Sequence, residues 1–186
     1  MFRISSLLLL VVSVFCFHLV HGAPQLLPRF NWGKGAMWGS EEHGTWFDDS
    51  GDLKTFGNPR LISVTLRGGD RLDAISYTVT DDSKIRAVNY HHGGGGGSEL
   101  KFDFAANEYV TSVTVCTGRT GRPGAKHTRI SGIQIFTNIA NHGIGVGSLG
   151  GSSCVNHPLE ANKRLIGFFG RQGDEIDAVG LVFKYV

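Results

Sequence analysis

The chain has 186 residues, with 18 Lys and Arg against 16 Asp and Glu, enough to bury one core and too few for two ordinary domains. A formal charge of +2 without a basic run excludes a nucleic-acid footprint. Glycine, at 27 residues, is about twice its usual ~7%, but no G-X-Y period occurs and 41% hydrophobic content supports a core, which excludes collagen and disorder.

In chain order, Met1-Phe2-Arg3 precedes an apolar run from Ile4 to Val20, with small residues at Val20 and Gly22. This pattern predicts a secretory signal over 1–22, cut after Gly22, and hence an extracellular protein. The run hardly reaches the ~17 residues of a membrane span and is interrupted by Ser5, Ser6, Ser13 and His18, so no membrane insertion is expected. A short leader, 23–36, follows. Cys16 leaves with the signal. The remaining pair, Cys116 and Cys154, suggests one disulfide in an oxidising compartment, the alternative being two buried thiols. No Asn-x-Ser/Thr sequon is present.

Period-two alternation marks strands at Ile62, Val64 and Leu66, at Ile75, Tyr77 and Val79, and at Leu100, Phe102 and Phe104. Turns stand between them: Asp48-Asp49-Ser50-Gly51, Asp81-Asp82-Ser83 and the run Gly93 to Gly97. No window carries a capped helical stripe, so the class is all-β. The segment from Arg60 to Ile75 aligns without gaps to Arg164 to Val179, with eight of sixteen positions identical at an offset of 104 residues. Halving that offset places a middle copy at Gly121-Arg122-Pro123-Gly124-Ala125. Three units of about four short strands each imply three four-stranded sheets around one core.

Both well-kept turns read Gly-x-x-x-Asp: Gly69-Asp70-Arg71-Leu72-Asp73 and Gly173-Asp174-Glu175-Ile176-Asp177. Such a turn can aim backbone N–H groups and one carboxylate at a common point. Vicinal hydroxyls of a sugar suit that arrangement, since each hydroxyl both donates and accepts. Other motifs are weaker. Gly145-Val146-Gly147-Ser148-Leu149-Gly150 matches G-x-G-x-x-G but no helix follows, and Gly93 to Gly97 lacks the Lys-Ser/Thr of a phosphate loop. The acid pairs Asp48/Asp49 and Asp81/Asp82 are expected to splay toward water, and His91 and His92 to end a strand rather than bind a metal.

The ordered set Trp38-Gly39, Gly44-Thr45-Trp46-Phe47-Asp48-Asp49, His92 to Gly97, Glu108-Tyr109-Val110, Phe136-Thr137-Asn138 and Gly167 to Ala178 resembles the jacalin-related lectins. The resemblance implies a β-prism I fold of three Greek-key sheets with pseudo-threefold symmetry over 37–186, and a non-catalytic lectin whose partners are glycans or glycoproteins. It implies no cofactor and no metal. Carried over, the first site takes the Gly44 amide, the Asp174 and Glu175 backbone N–H groups and the Asp177 carboxylate. A second site takes Gly97 with Asp70, Arg71 and Asp73. Ala125 in the middle turn argues against a third. The first loop, Gly39-Ser40-Glu41-Glu42-His43-Gly44, is longer and more acidic than the family's usual glycine loop. Its acids, with Asp174, Glu175 and Asp177, disfavour anionic sugars at the first site, whereas Arg71 makes the second friendlier to them. The uncut N-terminal segment and the lack of aromatics in the C-terminal turn resemble the mannose-type members. Weak single-site affinity then calls for two sites or a homo-oligomer. The rival readings are an interaction module with decayed sugar sites and a glycan-cleaving enzyme.

Overall fold

The computed structural model describes residues 31–81, 86–119, 127–150 and 153–186. The expected signal, the start of the leader and the turn at 121–125 lie outside the described residues.

Twelve strands and one helical turn follow in order: β1 (Trp32–Gly39), β2 (Thr45–Asp48), α1 (Ser50–Leu53), β3 (Pro59–Gly68), β4 (Leu72–Asp81), β5 (Arg86–Gly93), β6 (Ser98–Asp103), β7 (Val110–Gly118), β8 (Arg129–Thr137), β9 (Gly143–Gly147), β10 (Cys154–Pro158), β11 (Lys163–Gln172) and β12 (Ile176–Tyr185). β1 begins at Trp32, so the sheet takes in residues 32–36 of the stretch expected as a leader.

The strands form three antiparallel four-stranded sheets, β1-β12-β11-β2, β5-β4-β3-β6 and β10-β7-β8-β9, called here the first, second and third. Each is a central hairpin flanked by two strands. The expected all-β prism is confirmed. In the first sheet the flanking strands come from the beginning of the chain and the hairpin from its end, which closes the prism.

One apolar face per sheet turns inward. Val64, Leu66, Ile75, Val113, Ile133, Ile135, Phe168, Val179 and Val182 are all fully buried in a single cluster. The alternation holds for Ile75, Tyr77 and Val79, which are buried, but not for Ile62. Pairing runs Leu61↔Val79 and then Ser63↔Thr78, so Ile62 sits in a bulge that turns Leu61 inward in its place. Leu100, expected inside, is exposed; Phe104, just past the end of β6, is buried.

Two acids expected to face water point inward instead. Asp49 precedes α1 and accepts a hydrogen bond from the Tyr77 hydroxyl, while His92 Nε2 stands 2.6 Å from the same carboxylate. Burial, and then the neighbouring Asp49 charge, hold the Tyr77 phenol protonated far above the usual tyrosine range. Asp81 has no solvent exposure and accepts from the amides of Gly57 (2.9 Å) and Asn58 (3.0 Å). A buried carboxylate needs such donors to offset its lost hydration. His91 and His92 lie at the end of β5, as expected.

Cys116 on β7 and Cys154 on β10 are register partners and form a disulfide across 38 residues of sequence. The Cys116→Ala/Cys154→Ala double variant is expected to unfold in urea with a free energy about 2–4 kcal/mol lower than the parent. Matching unfolding curves for the two proteins would show that the cross-link adds nothing.

Candidate functional site at the hairpin end of the prism

The three central hairpins turn at the same end of the prism, and each second strand carries a bulge there. In the second sheet pairing runs Arg67↔Ala74 and then Gly68↔Leu72, skipping Asp73. In the first it runs Arg171↔Ala178 and then Gln172↔Ile176, skipping Asp177. In the third it runs Cys116↔Gly132 and then Thr117↔Ile130, skipping Ser131. A bulge releases one residue from the ladder and re-aims its side chain. Asp73, Asp177 and Ser131 are therefore structural equivalents, and each is at least nine-tenths buried.

This register corrects the sequence-based placement of the middle copy. The position of the carboxylate falls on Ser131, not Ala125. The connection from β7 to β8 runs over residues 119–128, where its counterparts need only 69–71 and 173–175, so a constant period could not find it. The third sheet carries a hydroxyl where the other two carry a charge.

Beside each bulge lies the loop leaving the outer strand. β1, β5 and β9 end on Gly39, Gly93 and Gly147, and the next amide donates to the bulged residue's carbonyl: Ser40 to Asp177 (2.9 Å), Gly94 to Asp73 (3.0 Å) and Ser148 to Ser131 (2.7 Å). Gly44, at φ 75°, closes the first loop directly against the Asp177 carboxylate. Any Cβ there would collide with Asp177 Oδ2, so only glycine lets the loop approach so closely. In the second sheet Gly97 packs on the Gly68 backbone, while a Cβ on Gly96 would lie 2.6 Å from Asp73 Oδ1. Gly96 therefore belongs to this site as well; the unbroken glycine run carried that signal without ranking its members.

Of the turn residues, Asp70 and Asp174 are exposed at the hairpin tips. Glu175 is not: its side chain is buried and ion-paired with both Arg71 and Arg129. Arg71 in turn holds Asp73 at 3.1 Å, and Arg129 holds Asp177 at 3.2 Å. The expected crowd of carboxylates around the first site is therefore smaller by Glu175. Glu175 faces two arginines, and Arg129, absent from the sequence-based set, brings a positive charge beside Asp177. Arg71 is spanned between two carboxylates, so its charge is shared rather than offered outward.

Two further arginines hold the loops. Arg67 Nε and Nη2 donate to the carbonyls of Gly96 (3.2 Å), Gly95 (3.3 Å) and Gly97 (3.2 Å), while Nη1 pairs with Glu99 at 2.8 Å. Arg171 Nη1 donates to the Gly44 carbonyl at 3.0 Å, and its guanidinium lies 5.9 Å from the Trp46 ring centre. The signal was present, since Arg67 and Arg171 are identical positions of the internal repeat. In the third sheet the same position is Cys116, bonded to Cys154. His43 of the first loop packs against His127, with ring centres 3.6 Å apart and planes tilted by 53°. Among the described residues no group of three or more His, Cys, Asp or Glu side chains could hold a metal ion. A cavity of about 360 Å³ lies at the opposite end, where β3 and β11 begin.

Matched against families of known proteins, residues 36–182 fit the jacalin-like lectin domain. The chain belongs to that family. Its relatives include horcolin of barley (Hordeum vulgare), 29% identical over 125 residues that cover 65% of this chain and 80% of horcolin. Among solved structures, Malaysian banana lectin is 28% identical with a TM-score of 0.66, covering 82% of this chain and 98% of its own. A mannose-binding jacalin-related lectin from Ananas comosus, at 24% identity and a TM-score of 0.68, covers 83% and 99% and shows the shared fold.

In this jacalin-like lectin each arginine clamp acts on its own loop. Arg171→Ala is expected to raise amide exchange at residues 40–44 about tenfold and leave 94–97 unchanged, with the converse for Arg67→Ala, since one charge-assisted bond is worth roughly 1.5–3 kcal/mol. Hydrogen exchange with mass spectrometry reads both loops at once.

Proposed function

We propose that the protein is a secreted, non-catalytic lectin that binds neutral, mannose- or glucose-type glycans at two sites, one at the turn of the first sheet and one at the turn of the second. The observation that carries this reading is the pair of bulged aspartates, Asp177 and Asp73, each buried and each facing a glycine loop. At the first site two adjacent sugar hydroxyls donate to Asp177, while the Gly44, Asp174 and Glu175 amides donate back to the same oxygens. At the second, Asp73 takes the place of Asp177, the Asp70 and Arg71 amides those of Asp174 and Glu175, and Gly96 and Gly97 form the loop. The mannose-binding lectin of Ananas comosus and the artocarpin–mannotriose complex support the choice of sugar. The run over residues 1–22 supports export.

A few charge-assisted bonds at an open site give an affinity near ~1 mM, about −4 kcal/mol. Two sites on one prism, or a homo-oligomer, raise the avidity for a branched glycan. Glycoside cleavage needs two carboxyl groups about 5–9 Å apart across the scissile bond. At these turns Glu175 is instead taken up by Arg71 and Arg129, which favours binding over turnover.

Titration of the mature chain with methyl α-mannoside, followed by heteronuclear NMR, is expected to shift two separate sets of amides, at 40–44 with 173–177 and at 69–73 with 94–97. Asp177→Ala should silence the first set, Asp73→Ala the second, and the double variant both, each with at least a tenfold loss of affinity at its own site. No response of the parent protein to any glycan on an array would remove the reading.

A further inference from the structure

At the hairpin end, the residue two places before each bulge comes from a different sheet: Arg71 from the second, Arg129 from the third and Glu175 from the first. Their side chains converge. Asp73 Oδ1 is held by Arg71 Nε at 3.1 Å, and Arg71 Nε also pairs with Glu175 Oε2. Glu175 Oε1 pairs with Arg129 Nη1 at 2.5 Å, and Arg129 Nε lies 3.2 Å from Asp177 Oδ1. The result is one chain of alternating charge, Asp73–Arg71–Glu175–Arg129–Asp177, laid across the prism from one glycine loop to the other.

Each aspartate is desolvated and needs a counter-charge. The sheets supply one arginine each, but two guanidinium groups brought to the centre of one end repel. Glu175, about 94% buried, stands between them and answers both. The arginines hold the Oδ1 atoms, and at the first site this leaves Oδ2 of Asp177 facing Gly44. Orientation of a charged acceptor within a fraction of an ångström sets how well it meets two hydroxyls at once.

We propose that Glu175 is a positioning residue for both sites, not a contact of the first alone, with Arg71 and Arg129 as its two arms. The two sites then share one electrostatic support. This rests on the glycan-binding reading of Asp73 and Asp177, while the charge chain itself has a readout that needs no sugar.

The test uses Glu175→Gln, which keeps the shape and removes the charge. Without sugar, the Nε–H resonance of Arg71 and the Nη–H resonances of Arg129 should both shift in Glu175→Gln; if either stays in place, the bridge is absent and the proposal fails. With methyl α-mannoside, Glu175→Gln is added to Asp73→Ala, where only the first site reports, and to Asp177→Ala, where only the second does. Affinity is expected to fall about three- to tenfold in both backgrounds, the range set by losing one arm of a charge-assisted pair. A loss confined to the Asp73→Ala background would make Glu175 a residue of its own turn only and overturn the coupling. Should Glu175→Gln not fold, Glu175→Asp keeps the charge, draws it back by one methylene and gives the same comparison, with a smaller loss expected at both sites and a one-sided loss again overturning it. A parent protein that binds no mannoside defeats the mannose-type reading, one that binds no glycan on an array defeats the lectin reading, and in either case the arginine resonances still decide the bridge.

Discussion

A four-stranded sheet with one apolar face is not stable until that face is covered, and here no helix longer than one turn is present among the described residues to cover it. The sheets must therefore cover one another. Three of them lean inward around Phe168, Tyr77, Ile133 and their neighbours, and this mutual burial fixes the rest of the architecture. It brings the three central hairpins to one end and sets their bulges side by side. The floor of each site is held by strands, and one glycine of the loop above it, Gly44 or Gly96, approaches that floor closely.

The same arrangement creates an electrostatic problem that a single hairpin would not have. Repeating one turn three times about an axis repeats its charges, and like charges meet at the centre. This chain departs from its own repeat at that point. Arg71 aligns with Glu175 and both stand where the third sheet has Arg129, so the symmetric position carries two positive charges and one negative. A buried set of this kind adds little net stability over apolar packing, but it orients its members. Symmetry builds the frame, and its local violation makes the frame usable.

Much of this was legible in the residues. The Gly-x-x-x-Asp turns were visible because hairpins with three-residue connections keep their spacing, and Asp73 and Asp177 lie where the repeat puts them. The middle copy was not, because residues 119–128 lengthen its turn and move the equivalent position to Ser131. Asp49 and Asp81 read as solvated turn acids because their partners, Tyr77 with His92 and the amides of Gly57 and Asn58, lie across the fold and no local rule connects them. Glu175 was misjudged for the same reason: the two cations that take its carboxylate belong to other sheets. Arg67 and Arg171 were within reach, since both are kept by the repeat; what was missing was a reason for an arginine beside a glycine loop.

The first sheet joins β1 and β2 to β11 and β12, whereas the second is drawn from the continuous stretch β3 to β6. In a chain made from its N-terminus, the second glycine loop and Asp73 are complete before the third sheet exists. Gly44, already synthesised, waits for Asp177 until β12 is made. The hairpin of β11 and β12 thus delivers two things together, the carboxylate of the first site and the Glu175 charge that bridges Arg71 to Arg129. A chain cut short before the 173–175 turn loses more than β12: it leaves the early site standing without the charge that ties Arg71 to Arg129.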